Sequence, residues 1–405
     1  MTKPANQPKL LKLLVINLYL TFIKKCQTNI LFSNWSYIFV KGICLTNKCA
    51  KIQSMKKILW LFFVVSLFFT LSCSKKSVAP APTPTPTYTP PIVSSSFAEG
   101  ADISWVTQME AAGNKFYDAN GNQEDLFALM KSLGFNSIRL RAWVNPTAGW
   151  CNTTDVVAKA VRAKNAGMKI LIDFHYSDTW ADPGDQNPPA AWASLSLPAL
   201  ETALQSYTIG VLDTLQLNGV TPTWVQIGNE TNNGMLFPLG NATTSMANFA
   251  ALVETGYKAV KSVNTAIKVI VHVSNGFDNS LFEWVFDGLK ANGAQWDIIG
   301  MSLYPSYESS GWSTVDTECL TNINTLIARY STPVMIVEVG MPASPASTSQ
   351  DFLTDIITKV NSVAGGNGLG VFYWEPEAYN NWQSYGLGAF DNTGKPTAAL
   401  DAFGD

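Results

Sequence analysis

Residues 223–230 read Thr-Trp-Val-Gln-Ile-Gly-Asn-Glu, and residues 333–338 read Pro-Val-Met-Ile-Val-Glu. Each is a short apolar run with a glutamate, Glu230 or Glu338, at its carboxyl end. A strand that presents a carboxylate at its C-terminal end is typical of a (β/α)8 barrel, whose active sites lie on that face. Neither run is specific alone, because Asn-Glu and Val-Glu dipeptides are common. The positions of the two glutamates in the order of strands decide whether they can belong to one active site.

The chain from residue 97 onward alternates short apolar runs with amphipathic stretches, a pattern typical of βα units around a parallel sheet. The predicted strands are Gly100–Trp105, Ser137–Trp143, Lys169–Tyr176, Thr223–Asn229, Lys268–Ser274, Asp297–Tyr304, Val334–Val339 and Gly370–Trp374. The predicted helices are Leu126–Leu133, Val156–Ala166, Leu197–Leu217, Met246–Val263, Leu281–Leu289, Leu320–Tyr330, Phe352–Val363 and Ala398–Phe403. This alternation predicts an α/β protein, a (β/α)8 TIM barrel that forms a single catalytic domain over residues 97–405.

A doubly wound open sheet of eight strands is the alternative architecture. Such a sheet often carries a glycine-rich phosphate-binding fingerprint after its first strand, and Ile103-Ser104-Trp105 is not one. In a closed barrel Glu230 follows the fourth strand and Glu338 the seventh, and the ends of these strands face each other across the mouth. The two carboxylates are therefore expected roughly 5–5.5 Å apart, the spacing of a retaining glycosidase.

Most other predicted strands also end in polar or aromatic side chains, which are candidate substrate-binding or supporting residues. They are Asp102, Arg139, Arg141, Trp143, His175, Asp178, Trp180, Asn229, His272, Tyr304, Trp374 and Glu375. The chain has only two histidines, and both fall at strand ends. A single histidine is often a structural hydrogen-bonding residue, but two at the same rim favour a functional role.

The two arginines, Arg139 and Arg141, stand two positions apart and so point to the same side of a strand. A nucleophilic carboxylate must stay ionised, and a guanidinium beside it lowers its pKa and fixes its rotamer. We expect one arginine to contact that carboxylate and the other to close a structural salt bridge. Tyr304 is expected to donate a hydrogen bond to the same carboxylate. The acid needs a raised pKa instead, and Asn229 beside Glu230 is placed to hold a sugar hydroxyl.

The composition favours a neutral polysaccharide as the substrate. All 30 acidic residues but only 15 of the 27 Lys and Arg lie after position 96, and so acidic a domain should repel nucleic acid and other polyanions. Eleven of the 13 tryptophans also lie after position 96, and aromatic faces stack on the apolar faces of pyranose rings. Packing in the core is the alternative role for any one tryptophan. The chemistry of two carboxylates needs no cofactor.

The first 96 residues contain twelve lysines and no acid, and they indicate targeting rather than a folded domain. After Met55, two lysines precede the apolar run Ile58–Leu71, which is too short for a comfortable transmembrane span. Leu71-Ser72-Cys73 resembles a bacterial lipoprotein cleavage box, so residues 55–73 are predicted to be a lipoprotein signal peptide with Cys73 as the lipidated residue. A signal anchor with an incidental cysteine is the alternative.

Residues 74–96 are rich in Pro and Thr and are predicted to form a stiff, solvated linker. Residues 1–54 are interpreted as an extension upstream of the true start, with a second membrane segment at Leu10–Ile23 as the alternative. The predicted product is a monomeric outer-membrane lipoprotein of the cell envelope, on its periplasmic or its surface-exposed face, that touches the membrane only through the lipid. The spacing of Cys151 and Cys319 does not decide whether they pair, and no cluster has the spacing of metal ligands.

The globular part resembles the endo-β-1,4-galactanases of glycoside hydrolase family 53 over residues 97–405. The resemblance rests on Gly100-Ala-Asp-Ile-Ser104, Ile138-Arg-Leu-Arg-Ala-Trp143, Asp173-Phe-His-Tyr-Ser-Asp-Thr-Trp-Ala-Asp-Pro183, Gln226-Ile-Gly-Asn-Glu230, Asn233-Gly-Met-Leu236, Ser302-Leu-Tyr-Pro305 and Tyr373-Trp-Glu-Pro376. The run from His175 to Pro183 is the most specific of these motifs, since other barrels with glutamates on strands four and seven do not share it.

The resemblance implies a retaining endo-hydrolase of β-1,4-galactosidic bonds in galactan or type I arabinogalactan, the side chains of pectin. It implies that Glu230 is the general acid/base and Glu338 the nucleophile of a double displacement. Leu303 stands where the family more often has a second tyrosine, and Phe237 where it tends to have tryptophan. The loop 340–349 has no Asp, Asn or Glu, so the structural calcium of some bacterial members is not expected there.

Two alternatives stay open. One is the same chemistry on another neutral β-glycan, such as mannan or glucan. The other is a non-catalytic surface glycan-binding barrel, which would be expected to have lost one of the two glutamates.

Overall fold

The computed structural model describes residues 88–404, and its centre is a closed barrel of parallel strands. The strands are β1 (Ala98–Asp102), β2 (Ser137–Ala142), β3 (Lys169–Phe174), β4 (Trp224–Ile227), β5 (Lys268–Val273), β6 (Ile298–Leu303), β7 (Val334–Val339) and β8 (Gly368–Trp374). Each strand pairs with the next along the chain, and β8 pairs with β1 to close the ring. The predicted (β/α)8 barrel is confirmed, and the open doubly wound sheet is excluded.

Helices alternate with these strands and cover the outside of the barrel. They are α1 (Leu126–Ser132), α2 (Thr153–Asn165), α3 (Leu197–Leu217), α4 (Met246–Val263), α5 (Asn279–Ala291), α6 (Trp312–Tyr330) and α7 (Ala346–Asn361). The last predicted helix, Ala398–Phe403, is instead a 3₁₀ turn at Ala398–Ala402. A short helix, Val106–Ala111, and a ribbon of Phe116–Tyr117 with Gln123–Glu124 add to the prediction. Elements this short contain too few repeats of the hydrophobic period to be recognised from it.

The predicted boundaries of several elements are wrong. Helix α6 begins at Trp312 rather than Leu320, because its first turns are largely polar and the apolar period starts later. Strand β1 ends at Asp102 rather than Trp105, and β4 ends at Ile227 rather than Asn229. Past β4 the backbone turns left-handed, with φ of 76° at Gly228 and 44° at Glu230. Glu230 therefore lies in the loop after β4, whereas Glu338 lies within β7.

The interior of the barrel is divided into an apolar lower layer and a polar upper layer. The apolar layer consists of buried side chains from seven strands, namely Ala98, Leu171, Trp224, Ile270, Ile298, Met335, Val337 and Phe372. Side chains on one face of a strand recur every second residue. This period identifies the positions that point inward closer to the carboxyl ends. Polar side chains occupy many of them, including Asp102, Arg139, Asp173, Gln226, His272 and Ser302, all buried. The sequence thus places a polar floor directly beneath the mouth.

Strand β7 breaks this alternation at the residue that matters most. Met301 pairs with Ile336, but the next pair along is Ser302 with Glu338, so Val337 is an extra residue on β7. Such a bulge re-aims the side chain that follows it. Val337 packs in the apolar layer, and Glu338, its direct neighbour, also points into the barrel. Without the bulge Glu338 would face the helices.

The predicted linker enters the described residues only at its end, 88–96. The Tyr88 hydroxyl is hydrogen-bonded to Thr354 of α7, and Asn361 at the end of that helix bonds the backbone of Ser94 and Ile92. The predicted extension (1–54), the signal peptide (55–73) with Cys73, and linker residues 74–87 lie outside the described residues. Between residues 88 and 404, none of the helices combines the length and apolar character needed to cross a membrane.

Candidate active site

Glu230 and Glu338 line the same cavity, of about 420 Å³, at the carboxyl-end mouth of the barrel. Loops after β1, β3, β6 and β8 supply the rest of its wall, including Trp105, Trp180 and Trp374. Both carboxylates therefore lie at the mouth of the barrel, as their positions after the fourth and on the seventh strand predict.

Glu338 is held by a guanidinium and a phenol. Its Oε1 lies 2.8 Å from Arg139 Nη2. The Tyr304 hydroxyl donates to its Oε2 at 2.9 Å. Both groups interact more favourably with a carboxylate than with a neutral carboxyl, so these two contacts favour the ionised form. The side chain has only a narrow opening to the cavity, at 6% exposure.

Arg139 is the centre of the polar floor. It is buried, and besides Glu338 it contacts Asp102 at 2.6 Å and Asp173 at 2.9 Å. It also donates to the side-chain oxygen of Asn229 at 2.9 Å. The guanidinium thus connects β1, β3 and the loop after β4 to the carboxylate on β7.

Glu230 has a different environment. Its carboxylate accepts a hydrogen bond from Ser302 at 2.7 Å, and the loop that carries it has a left-handed backbone at this residue. A non-glycine residue held in that region costs about 1–3 kcal/mol and is typical of functional sites. In the described part of the chain no cation contacts Glu230.

Burial raises the pKa of both carboxyls. For Glu230 burial outweighs the hydrogen bond from Ser302 and raises the pKa to about 7, with Asp182 adding to the rise. For Glu338 burial is again the largest cause, Arg139 opposes it, and the charge of Glu230 raises the pKa further. The two groups cannot both be charged at low cost in one buried site. Because only Glu338 has a guanidinium and a phenol on it, we assign the charge to Glu338 and the proton to Glu230.

The two histidines sit on either side of this pair. His175 Nδ1 accepts from Trp143 Nε1 at 3.2 Å and from the Ala181 amide at 3.1 Å, and its Nε2 lies 3.0 Å from Asp173. Buried His272 has its Nε2 2.6 Å from the Ser302 hydroxyl. Burial, and then the charge of Arg139, hold the pKa of His272 well below its ordinary value, so this ring is neutral.

Aromatic rings form the other wall of the cavity. Trp105 contacts Trp180 and Trp374 edge-on, with ring centroids 5.9 and 5.2 Å apart. Arg141 lies beneath them, 4.1 Å from the centroid of the Trp180 ring, and pairs with Glu375 at 2.9 Å. Arg141 is therefore the structural arginine of the predicted pair, and Arg139 is the one that contacts a catalytic candidate.

A second cavity, of about 290 Å³, continues from the first past Trp105 and Trp180, which line both. Trp143 and Asp178 lie here rather than beside the two glutamates. The Asp178 carboxylate accepts the backbone amides of Asn145 and Ala190 and so fixes two loops. The two cavities thus have two tryptophans in common in their walls.

Two predicted site residues support the site from below, and a third lines the cavity with most of its hydrogen-bonding capacity already used. Asp102 and Glu375 are fully buried and pair with the two arginines. Asn229 lines the cavity, but its amide already donates to Ala181 O at 2.9 Å and its oxygen accepts from Arg139. The same oxygen also accepts from Gln226 Nε2 at 3.2 Å, so the expected contact of Asn229 with a sugar hydroxyl is limited to the second N–H of its amide.

The predicted site residues do not include Ser302, Asp182, Tyr307 and Tyr385. Ser302 could have been found, because it ends a strand two residues before Tyr304. The others come from irregular loops, where no hydrophobic period fixes the position of a side chain. Tyr307 is 73% exposed at the edge of the cavity, and Tyr385 contacts Trp374 with centroids 4.7 Å apart.

Cys151 and Cys319 are both buried free thiols, which answers the question that their spacing leaves open. Over residues 88–404, no group of three or more His, Cys, Asp or Glu side chains could hold a metal ion.

The sequence profile described as glycosyl hydrolase family 53 matches residues 98–351 and 340–403 of this chain. An arabinogalactan endo-β-1,4-galactanase of Thermothelomyces thermophilus is 35% identical over 332 residues, which cover 75% of this chain and 98% of that protein. A probable arabinogalactan endo-β-1,4-galactanase A of Neosartorya fischeri is 34% identical over 342 residues, 77% of this chain and 95% of the relative.

Solved structures agree with the sequence matches. A structure from a study of two fungal β-1,4-galactanases superposes with a TM-score of 0.71 at 32% identity, covering 76% of this chain and 98% of that one. The family 53 catalytic domain of Ignisphaera aggregans gives a TM-score of 0.71 at 30% identity, covering 78% and 98%.

Proposed function

The chain belongs to glycosyl hydrolase family 53, and we propose that it is a retaining endo-β-1,4-galactanase that cleaves the galactan side chains of pectin. The observation that carries the proposal is the pairing of Glu230 and Glu338 in one cavity, with a cation on only one of them. Galactanase relatives that align over most of their length support galactan as the substrate.

In the first step Glu338 attacks the anomeric carbon of the galactosyl unit bound in the cavity. The bond from that carbon to the glycosidic oxygen breaks, and Glu230 gives its proton to the departing oxygen. The raised pKa of Glu230, about 7, keeps that proton available near neutral pH. The product of the step is a galactosyl ester on Glu338, in which one carboxylate oxygen is bonded to the anomeric carbon and the other becomes the carbonyl oxygen. Arg139 and Tyr304 each contact one of these two oxygens.

In the second step the ionised Glu230 takes a proton from a water molecule, whose oxygen attacks the same anomeric carbon. The ester bond breaks and returns Glu338 to its carboxylate form. Two inversions at one carbon leave its configuration unchanged. Arg139 and Tyr304 stabilise the carboxylate as it leaves, which is why the contacts that hold the nucleophile also assist its release.

The surroundings of the pair support a neutral substrate of more than one sugar. A second cavity adjoins the catalytic cavity at Trp105 and Trp180, which supports binding of more than one sugar ring. Indole faces are suited to the apolar faces of pyranoses and would be poorly suited to a charged polymer without counter-charges. An endo-acting enzyme needs such binding surface on both sides of the bond that it cleaves.

The release of reducing ends from linear β-1,4-galactan tests the proposal. Wild-type protein should release oligosaccharides, and Glu338→Ala should abolish turnover while binding of galactan remains measurable. Faster release from mannan or glucan would reassign the substrate within the same chemistry. Binding of galactan without any release by the wild-type protein would favour the non-catalytic barrel. Unchanged turnover in Glu338→Ala would overturn the assignment of the nucleophile.

We also propose that the mature protein is a monomer anchored to the outer membrane by a lipid on Cys73. The support is the sequence alone: a charged segment, a short apolar run and a lipoprotein box before a Pro/Thr-rich linker. Incorporation of labelled palmitate, and sedimentation with membranes, should both be lost in Cys73→Ser. Membrane association that persists in this variant would favour the signal-anchor alternative.

A further inference from the structure

His272 contacts Glu230 at two separate points. Its Nε2 lies 2.6 Å from the Ser302 hydroxyl, which in turn donates to Glu230 Oε1 at 2.7 Å. On the other side of the ring, the backbone amide of Glu230 donates to Nδ1 at 3.3 Å. The ring therefore touches the main chain of Glu230 directly and its carboxyl through one hydroxyl.

The backbone of His272 holds the same loop. Its carbonyl oxygen accepts from the amide of Thr231 at 2.8 Å and from the Thr231 hydroxyl at 2.9 Å. His272 and Ser302 are both buried, on the adjacent strands β5 and β6. The left-handed turn at Glu230 is thus fixed from β5.

The contacts determine which ring nitrogen of His272 carries the proton. A backbone amide can only donate, so its contact with Nδ1 leaves that nitrogen unprotonated in a neutral ring. Gln226 Nε2, another donor, lies 3.1 Å from the same nitrogen. Asn229 Oδ1 lies 3.0 Å from it, but both lone pairs of that oxygen already accept, from Arg139 and from Gln226. The proton is therefore on Nε2, which donates to Ser302. The Ser302 hydroxyl, having accepted from His272, directs its own hydrogen to Glu230.

We propose that His272 and Ser302 are positioning residues that decide which oxygen of Glu230 carries the transferable proton. Ser302 donates to Oε1, so this oxygen acts as an acceptor and the acidic proton resides on Oε2. Among the described residues Oε2 has no hydrogen-bond partner, which leaves it available to the glycosidic oxygen. This inference rests on the proposed role of Glu230 as the general acid.

The opposite tautomer of His272 would have the opposite consequence. With the proton on Nδ1, Nε2 would accept from Ser302, and Ser302 would accept from a protonated Oε1. The proton of Glu230 would then point into the protein rather than toward the substrate. A fixed tautomer is therefore required for efficient proton transfer.

Other charged groups around Glu230 set how strongly it holds this proton but not on which oxygen. Asp173 on β3 and Asp182 in the loop after β3 raise its pKa, and Arg139 on β2 lowers it. Glu338 on β7 faces it across the cavity. His272 on β5 adds no charge, because burial, and then Arg139, hold its pKa well below its ordinary value.

Nitrogen NMR of the ¹⁵N-histidine-labelled protein tests the tautomer directly, whatever the substrate. The chain contains only two histidines, so the spectrum holds two rings, and the His272→Gln variant assigns them. We expect His272 to show a protonated Nε2 and an unprotonated Nδ1 throughout pH 5 to 8. A protonated Nδ1, or a ring that becomes charged in this range, would overturn the proposal.

Kinetics with two leaving groups test the consequence. Ser302→Ala should lower kcat/KM on galactan about 10- to 100-fold, as expected for partial loss of general-acid catalysis. The burst of dinitrophenolate from a dinitrophenyl β-galactobioside should change much less, because this leaving group needs no proton. His272→Gln keeps a side-chain N–H and should show an intermediate loss. The double variant should lose no more than Ser302→Ala alone, since both residues act through one contact.

Ser274→Ala is the matched control. Ser274 is a buried serine just after β5 that accepts from Asn232 at 2.7 Å and does not contact Glu230. In Ser274→Ala the ratio of kcat/KM on galactan to the dinitrophenolate burst should stay at the wild-type value. An equal loss on both substrates in Ser302→Ala would mean a general structural role and overturn the proposal. If wild-type protein releases nothing from galactan, the proposed function fails. The NMR spectrum and the dinitrophenolate burst still test the tautomer of His272 and its effect in that case.

Discussion

Arg139 Nη2 lies 2.8 Å from Glu338 Oε1, and the same buried guanidinium contacts Asp102 and Asp173. One cation therefore faces three carboxylates in a layer without solvent. Burial raises the pKa of Asp173, but Arg139 and then His175 outweigh it, so the net shift is downward. The arginine thus keeps part of this layer ionised, and both the fold and the nucleophile depend on it.

Removal of Arg139 should destabilise the protein strongly. Breaking a buried ion pair by removing one partner costs about 3–5 kcal/mol, because the remaining charges stay buried without compensation. We expect Arg139→Ala to lose at least this much in urea unfolding at pH 7, and Arg139→Lys to fold but to lose most of its activity.

Arg162→Ala is the control, since Arg162 pairs with Glu110 and Asp125 at the surface. It should cost about 0–1 kcal/mol. Equal losses in the two alanine variants would contradict the assignment of Arg139 as the centre of the layer.

Activity should fall as the pH rises through the pKa of Glu230. This pKa is raised to about 7, so the acid form that donates the proton dominates below pH 7 and disappears above it. The basic limb of kcat/KM on galactan is therefore expected near pH 7. The hydrogen bond from Ser302 lowers this pKa, so Ser302→Ala should move the limb to higher pH. A limb that stays in place in Ser302→Ala, or moves to lower pH, would contradict the assignment.

The number, order and type of the barrel elements could be predicted from the sequence, because each buried strand and amphipathic helix carries its own period. The placement of Glu230 and Glu338 on opposite sides of the mouth followed from that order. Two features decide the finer geometry and could not be predicted. The bulge at Val337 leaves the apolar pattern of β7 unchanged, and the left-handed turn at Glu230 depends on contacts with His272, distant in sequence. Ser302, by contrast, could have been found, because it lies near the end of β6, two residues before Tyr304.

Tyr307 should contribute to substrate binding rather than to stability. It lines the catalytic cavity with its ring 73% exposed and its centroid 6.2 Å from that of Tyr304. An aromatic stacking contact contributes about 0.5–1.5 kcal/mol, so Tyr307→Ala should raise KM for galactan about 2- to 12-fold with little change in kcat. Trp284→Ala on α5 removes another exposed aromatic ring, 42% exposed and not lining the cavity, and should leave KM unchanged. A normal KM in Tyr307→Ala would exclude the tyrosine from the binding surface.

Gly228 should be essential for activity because it starts the turn that carries Glu230. Its φ is 76°, and a Cβ there would lie 2.6 Å from Thr231 Cγ2 and 3.0 Å from Met235 Sδ. Gly228→Ala therefore combines a left-handed backbone, which costs an L-residue about 1–2 kcal/mol, with a contact that only movement of the loop can relieve. A displacement of about 1 Å at a catalytic group can reduce the rate about 100-fold, so kcat on galactan should fall by one to two orders of magnitude.

Gly210→Ala in the middle of α3 is the matched control, since a Cβ there meets nothing within 4 Å. Because alanine is the better helix former, this control should gain about 0.5–1 kcal/mol in urea unfolding with unchanged kcat. Full activity in a folded Gly228→Ala would show that the position of Glu230 does not depend on this turn.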